Sequence, residues 1–162
     1  MKFKTKHTHE EKDYRFFLVD TEKDLEKINV SKTEIVDFLF LHLGKYNDDK
    51  EYILKALEYV LGKEKFLSGI IGIILNENNA LVGVAVINNT NMEGYIPENI
   101  LVYIALDKKY RKKGLGKKLL DLMINKSEGD IALHVDFDNK RARKVYKKMG
   151  FKEAYIEMRY KK

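Results

Sequence analysis

No cysteine occurs anywhere in the 162 residues, so disulfides, thiolate nucleophiles and thiolate metal sites are excluded. A covalent intermediate would have to form on Ser, Thr, Lys or a carboxylate. Proline occurs once and no Ser/Gly-rich stretch interrupts the chain, so a single domain over residues 1–162 is expected, without a linker. Long hydrophobic runs are also missing. Nothing approaches the roughly 20 apolar residues that span a bilayer, and Met1 to Asp13 is polar, without the apolar segment of a signal peptide. The expectation is a cytoplasmic chain with no membrane partner and, at residues 1–13, a polar N-terminal arm. His7-Thr8-His9 in that arm lacks a third ligand, so no metal is expected there.

What is present suits a folded domain. Hydrophobic residues make up 44% and charged residues 35%, too apolar for a disordered chain. A chain of this length buries roughly 70% of the surface it would expose unfolded. The formal net charge of +6 suits nucleic acid, an anionic membrane face or a phosphorylated cofactor, and its location must decide among them.

Tyr14 to Val19 reads as a strand, and Asp20-Thr21 caps a short helix running to about Ile28. Ser31-Lys32-Thr33-Glu34 is a capping-box pattern ahead of Ile35, Phe38, Leu39 and His42, which share one helical face. A third helix carries Ile53, Leu57, Val60 and Leu61 and stops at Gly62. Ile70 to Leu75 and Ala80 to Ile87 form a hairpin across Asn76-Glu77-Asn78-Asn79. Then come a strand at Ile100 to Leu106, a helix at Gly114 to Ile124, a strand at Ile131 to Phe137, a helix at Asn139 to Met149 stopped by Gly150, and a closing strand at Ala154 to Tyr160. This order is an α/β layout with hairpin and crossover connections.

The chemistry concentrates where the strand ending at Leu106 leads through Asp107-Lys108-Lys109-Tyr110 into Arg111-Lys112-Lys113-Gly114-Leu115-Gly116 and a helix. Backbone N–H groups at a helix start, beside residues without a β-carbon, form a concave positive site that phosphates can enter. Arg111, Lys112, Lys113, Lys117 and Lys118 add charge. By itself this argues for an anion site or a tight packing turn.

This order of elements, with Arg-x-x-Gly-x-Gly opening the helix, resembles the acetyl-CoA pyrophosphate loop of the GNAT superfamily of N-acetyltransferases. Downstream, Asp138-Asn139-Lys140-Arg141-Ala142-Arg143-Lys144-Val145-Tyr146-Lys147-Lys148-Met149-Gly150-Phe151 is similar to that family's second cofactor segment, in which an Asn, an Ala, a Tyr and a closing Gly-Phe recur together. The likeness runs from about Ile70 to the C-terminus, and the first third fits only by its order of elements. It implies a mixed, predominantly antiparallel sheet flanked by helices, the GNAT-like acyl-CoA N-acyltransferase fold. It also implies transfer of the acetyl group of acetyl-CoA to a primary amine by direct attack in a ternary complex.

Residue by residue, the resemblance implies that the backbone of Ile104, Ala105 and Leu106 lines the pantetheine arm and acetyl group. The run from Arg111 through Lys112, Lys113, Gly114, Leu115 and Gly116 to Lys117 would hold the pyrophosphate, and Asn139 the cofactor's arm, although an Asn there is equally a helix cap. Tyr146 would protonate the departing CoA thiolate, against the alternative of a core aromatic on the face of Ala142, Val145 and Met149. His134 stands where a Glu is the base in ribosomal-protein N-terminal acetyltransferases; a histidine's ordinary pKa near 6.5 suits that role. Glu93 and Glu98 are rival bases. A main-chain N–H of Leu106 or its neighbour would stabilise the thioester carbonyl as it gains charge.

Two other readings stay open. One is a GNAT-like domain that binds acetyl-CoA without catalysis, as a sensor or interaction module. The other is non-specific nucleic-acid binding through Lys140, Arg141, Arg143, Lys144, Lys147 and Lys148, although no DNA- or RNA-binding motif appears and no nucleic-acid partner is expected. The acceptor, a small-molecule or protein amine, is expected to be shaped by Thr21 to Lys65 and by the loop Asn88 to Glu98. Asp48, Asp49, Glu51, Glu93 and Glu98 would favour a cationic one if they faced the cleft. Dimers are common in the family, so a homodimer is open.

Overall fold

Strand-forming runs and well-capped helices set the order of elements in the computed structural model, which describes residues 8–11, 13–62 and 68–162. The strands are β1 (Thr8–Glu11), β2 (Tyr14–Val19), β3 (Gly69–Asn76), β4 (Leu81–Asn89), β5 (Asn99–Leu106) and β6 (Ile131–Leu133). The helices are α1 (Glu22–Lys27), α2 (Lys32–Leu43), α3 (Lys50–Leu61), α4 (Leu115–Lys126) and α5 (Lys140–Lys148). The sheet runs β1-β2-β3-β4-β5-β6, antiparallel except for the parallel β5–β6 pair. This is the mixed, mainly antiparallel α/β fold that the sequence implies.

Local chemistry accounts for most boundaries. The Ser31 hydroxyl accepts from the Glu34 N–H at 3.1 Å and the Glu34 carboxylate accepts from the Ser31 N–H at 2.7 Å, closing the capping box of α2. Thr21 caps α1. In the β3–β4 hairpin the Asn76 carboxamide oxygen accepts from the N–H groups of Asn78 and Ala80, and Asn79 takes a φ of 64°. Asparagine tolerates that left-handed turn well.

Both faces of the central strands are covered. Phe17, Val19, Ile71 and Ile73 pack with Ile35, Leu39, Ile53 and Leu57 of α2 and α3. Phe16, Ile74, Ala85 and Leu101 pack with Leu115, Leu119, Leu120 and Met123 of α4. Full burial of each large apolar side chain is worth about 1.5–3 kcal/mol. At Gly72 a Cβ would meet Met123 Sδ at 2.5 Å and Leu119 Cδ1 at 2.8 Å, so glycine lets α4 lie directly on β3. Gly72→Val is expected to cost about 1–3 kcal/mol through overpacking, read as a lower midpoint in urea with unchanged slope.

Three expectations change. Thr8–Glu11 pairs with Tyr14–Phe17 as β1, where the sequence reading places an arm. His7 and the His9 side chain lie outside the described residues. The expected strand Ile131 to Phe137 is only Ile131–Leu133, because the chain turns at Asp136, whose carbonyl accepts from the Asn139 N–H at 2.9 Å. The expected closing strand Ala154 to Tyr160 has no regular structure. Its residues have strand propensity, but a strand also needs an edge to bond to, and this segment meets none among the described residues.

Candidate active site

A single extra residue shapes the centre of the molecule. Val86 pairs with Tyr103 but Ile87 pairs with Leu101, so Val102 is the bulged residue of β5. The parallel pairing of β5 with β6 covers only Asn99, Ile100 and Leu101. From the bulge to Leu106, no strand among the described residues pairs with the β6 side of β5, and the two strands part.

Backbone direction along this stretch follows from alternation. The Asp107 N–H donates to the Val82 carbonyl on β4 at 2.9 Å. By the period of two, Ala105 and Tyr103 also face β4, whereas Ile104 and Leu106 direct their main-chain groups to the open side. Ala105, expected on the site, therefore turns its backbone to β4 and its methyl into the α2–α3 cluster. The Ile104 and Leu106 side chains pack beside α4. Leu106 is seated by two glycines: a Cβ on Gly83 would lie 2.5 Å from Leu106 Cδ2, and one on Gly116 would lie 3.1 Å from Leu106 Cδ1.

From Leu106 the chain makes a short 3-10 turn over Lys108–Tyr110, capped by Asp107, and enters α4 through Lys112 at φ 65° and Gly114 at φ 78°. Gly114 is the N-cap and supplies no side-chain bond to the helix. The first N–H groups of α4, from Leu115 to Lys117, therefore have no intrahelical acceptor and carry the positive end of the helix dipole. Lys112, Lys113 and Lys117 are exposed around them. A Cβ on Gly114 would meet nothing within 4 Å. The loop thus surrounds open space with donors and charge, as a phosphate requires.

Arg111 does different work. Its Nε donates to the Leu106 carbonyl at 3.1 Å and its Nη2 to the His42 carbonyl at 2.8 Å. The guanidinium ties the end of β5 to the last turn of α2 rather than facing the α4 N-terminus. Arg111→Ala is expected to lower stability by about 1.5–3 kcal/mol, the range for hydrogen bonds to a charged group, visible as a lower melting temperature.

Asn139 is the N-cap of α5, its side-chain oxygen accepting from the Ala142 N–H at 3.2 Å. Asp138 beside it pairs with Lys45 at 2.8 Å and accepts from the Tyr46 hydroxyl at 3.3 Å, which joins the start of α5 to the turn after α2. Lys45 first of all holds the Asp138 carboxyl below its ordinary pKa. Tyr146 packs edge-on against Phe151, ring centroids 5.7 Å apart, on the same cluster as Ile104 and Leu106. Burial pushes its phenol up to about 12, so it keeps its proton at neutral pH.

His134 lies beyond the end of β6 with its side chain 64% exposed and its Nε2 4.0 Å from a Glu157 carboxylate oxygen. Glu98 accepts from the Asp130 N–H at 2.7 Å, a bond that lowers its pKa and fixes the turn before β6. Glu93 is exposed on the β4–β5 loop. The sequence reading missed Tyr103, a buried residue whose hydroxyl donates to the Asp48 carboxylate at 2.6 Å. Burial first, and then that bond, raise the Tyr103 pKa. Its alternation with Ala105 marks Tyr103 as inward-facing on the α2–α3 side, but nothing in the sequence pairs it with Asp48. On α5, Lys140, Arg143, Lys144, Lys147 and Lys148 line an open surface depression, and Glu153 already engages Arg143 and Lys147.

Known proteins share this architecture. An aminoglycoside N-acetyltransferase, AAC(6')-Iy, solved in complex with CoA, superposes with a TM-score of 0.65 at 16% identity over 99% of each chain. A ribosomal-protein-alanine N-acetyltransferase from Brucella melitensis biovar Abortus 2308 gives 0.61 at 16% identity over 91% of this chain and 98% of the other. The protein PH1933 from Pyrococcus horikoshii OT3 gives 0.62 at 23% identity over 88% and 92%. No curated protein matches the sequence. The sequence profile of the acetyltransferase (GNAT) family matches residues 36–151, a span that holds the β5 bulge, the α4 loop and α5. The chain belongs to the acetyltransferase (GNAT) family.

Proposed function

We propose that the protein is an acetyl-CoA-dependent N-acetyltransferase acting on a primary amine. The observation that carries this reading is the parting of β5 from β6 next to the glycine-opened N-terminus of α4. One end of the opening offers N–H donors and lysines for a diphosphate, and its length offers a free strand edge for an extended amide-bearing arm. When bound, acetyl-CoA supplies an acyl thioester activated towards attack by an amine. The N–H groups of Leu115, Gly116 and Lys117 hold the diphosphate, with Lys112 and Lys113 adding charge. With the Leu106 carbonyl held by Arg111, the main-chain groups of Ile104 and the N–H of Leu106 align the arm. Their N–H groups are also the donors available to the thioester carbonyl as negative charge develops. Tyr146 holds the proton for the leaving thiolate, and His134, open to solvent, takes the proton of the acceptor ammonium. Attack is direct, in a ternary complex.

The test is release of free CoA thiol, followed with a thiol-reactive dye across a panel of polyamines, aminoglycosides, amino acids and peptide N-termini. Thiol release that depends on one amine class supports the reading. Tight acetyl-CoA binding in calorimetry with no release on any amine replaces it with a non-catalytic binding module. His134→Ala is expected to remove the acidic limb from the pH profile of kcat/KM; a profile identical to the parent's assigns the proton to water instead.

A further inference from the structure

The bulge in β5 also decides where one carboxylate of the α2–α3 connection is held. Leu101 is the last residue of β5 paired with β6. Tyr103, just past the bulge, turns its ring to the α2–α3 side of the sheet, and its hydroxyl donates to Asp48 at 2.6 Å. The same connection reaches the far side of the opening, because Lys45 and Tyr46 bond Asp138 at the start of α5 at 2.8 and 3.3 Å. Residues 45–48 thus run from β5 to the chain that follows β6, across the opening on the face opposite α4.

A buried phenol needs a partner, and a backbone carbonyl would serve. Here the partner is a charge. A hydroxyl donated to a carboxylate makes a charge-assisted bond, about twice as strong as a neutral one, so Asp48 is oriented although it is exposed. The bond takes one of roughly four acceptor sites on the carboxylate, and among the described residues no other side chain donates to it. The lysines beside it in the chain are engaged elsewhere, Lys45 by Asp138 and Lys50 by Asp37 at 2.7 Å. Glu157 first, and Asp48 and Asp136 behind it, favour the charged form of Arg159, whose bonds at 3.0 and 3.1 Å go to Glu157.

On the transferase reading the N-terminus of α4 holds the diphosphate from one face of the opening, and an amine in direct attack arrives from the other. The attacking nitrogen must be neutral, whereas a carboxylate favours a cation, so the group that Asp48 holds is not the group that reacts. We infer that the acceptor carries a second cationic group besides the primary amine that is acetylated, and that Asp48, positioned by Tyr103, receives it. This rests on the transferase reading and adds to it the class of acceptor, a diamine or polyamine in place of a monoamine.

Calorimetry on the CoA-saturated protein, with putrescine and cadaverine against butylamine and pentylamine, tests this apart from turnover. Each diamine shares its carbon chain with one monoamine and differs by an ammonium. The parent is expected to bind the diamines about tenfold or more tightly, a preference that shrinks as salt is raised. Asp48→Asn keeps an acceptor for the Tyr103 hydroxyl and removes the charge, so the preference is expected to fall about tenfold. Tyr103→Phe keeps the charge but releases its orientation, and an intermediate preference is expected. A merely structural role would weaken both amines alike and leave their ratio unmoved. A parent without the preference overturns the inference, as does an Asp48→Asn ratio equal to the parent's. Thiol release measured alongside separates the two proposals. Release with an unmoved ratio removes the role of Asp48 and keeps the transferase, whereas a shifted ratio without release on any amine keeps the cation site and removes the transferase.

Discussion

Tyr146→Phe is expected to lower turnover at saturating acetyl-CoA about 100-fold while leaving acetyl-CoA affinity within about twofold. The substitution removes one hydroxyl and keeps the ring that packs against Phe151 and the α4 side of the sheet, so the fold and the cofactor path are preserved. Burial raises the phenol to about 12, which guarantees the protonated form at neutral pH but makes it a reluctant donor. General acids work best when their pKa lies near the operating pH, so the effect belongs at the lower end of the range for such groups. Steady-state thiol release and calorimetry, run on the same preparation, separate turnover from affinity. Unchanged turnover would remove Tyr146 from the chemistry and leave it a core aromatic.

Gly114→Val is expected to weaken acetyl-CoA binding about tenfold or more while costing about 1–2 kcal/mol of stability. The stability term arises because Gly114 sits at φ 78°, a conformation that costs an L-residue roughly that much. Beyond the adjoining residues, no protein atom lies within 4 Å of the new Cβ, so the rest of the fold has no clash with it to relieve. The affinity term follows from the proposed reading, in which that open space holds the diphosphate against the first N–H groups of α4. Losing even one charge-assisted hydrogen bond there removes about 1.5–3 kcal/mol, or roughly a factor of ten to a hundred. Calorimetry with CoA and a thermal melt measure the two terms separately. A lowered melting temperature with intact affinity would mean that the loop is a packing turn and that the phosphates sit elsewhere.

These two residues show how much of the site is legible in one dimension. Gly114 and Tyr146 stand in short motifs whose spacing survives in the sequence because each motif lies within one turn-and-helix unit. The same holds for the Ser31 capping box, the Asn76–Asn79 turn and the Asn139 cap, where the interacting atoms lie a few residues apart. Arg111 was legible as a basic residue at the loop but not as a brace, since its acceptors are the Leu106 and His42 carbonyls. No pattern of side chains announces a distant carbonyl. Tyr103 and Asp48 are likewise joined only once α2, α3 and β5 are packed together.

The sequence alone determined the order of elements from Tyr14 to Met149 and the helix opening that suits an anion. Those depend on propensity, period and capping, all of which act over a few residues. Only the tertiary structure decided that Val102 is the bulge, that Ala105 faces β4 while Ile104 and Leu106 face the opening, and that Ala154 to Tyr160 stays off its own sheet. Strand pairing, bulges and backbone direction are relations between distant segments, and an alternating run reads the same whether or not an edge exists to receive it.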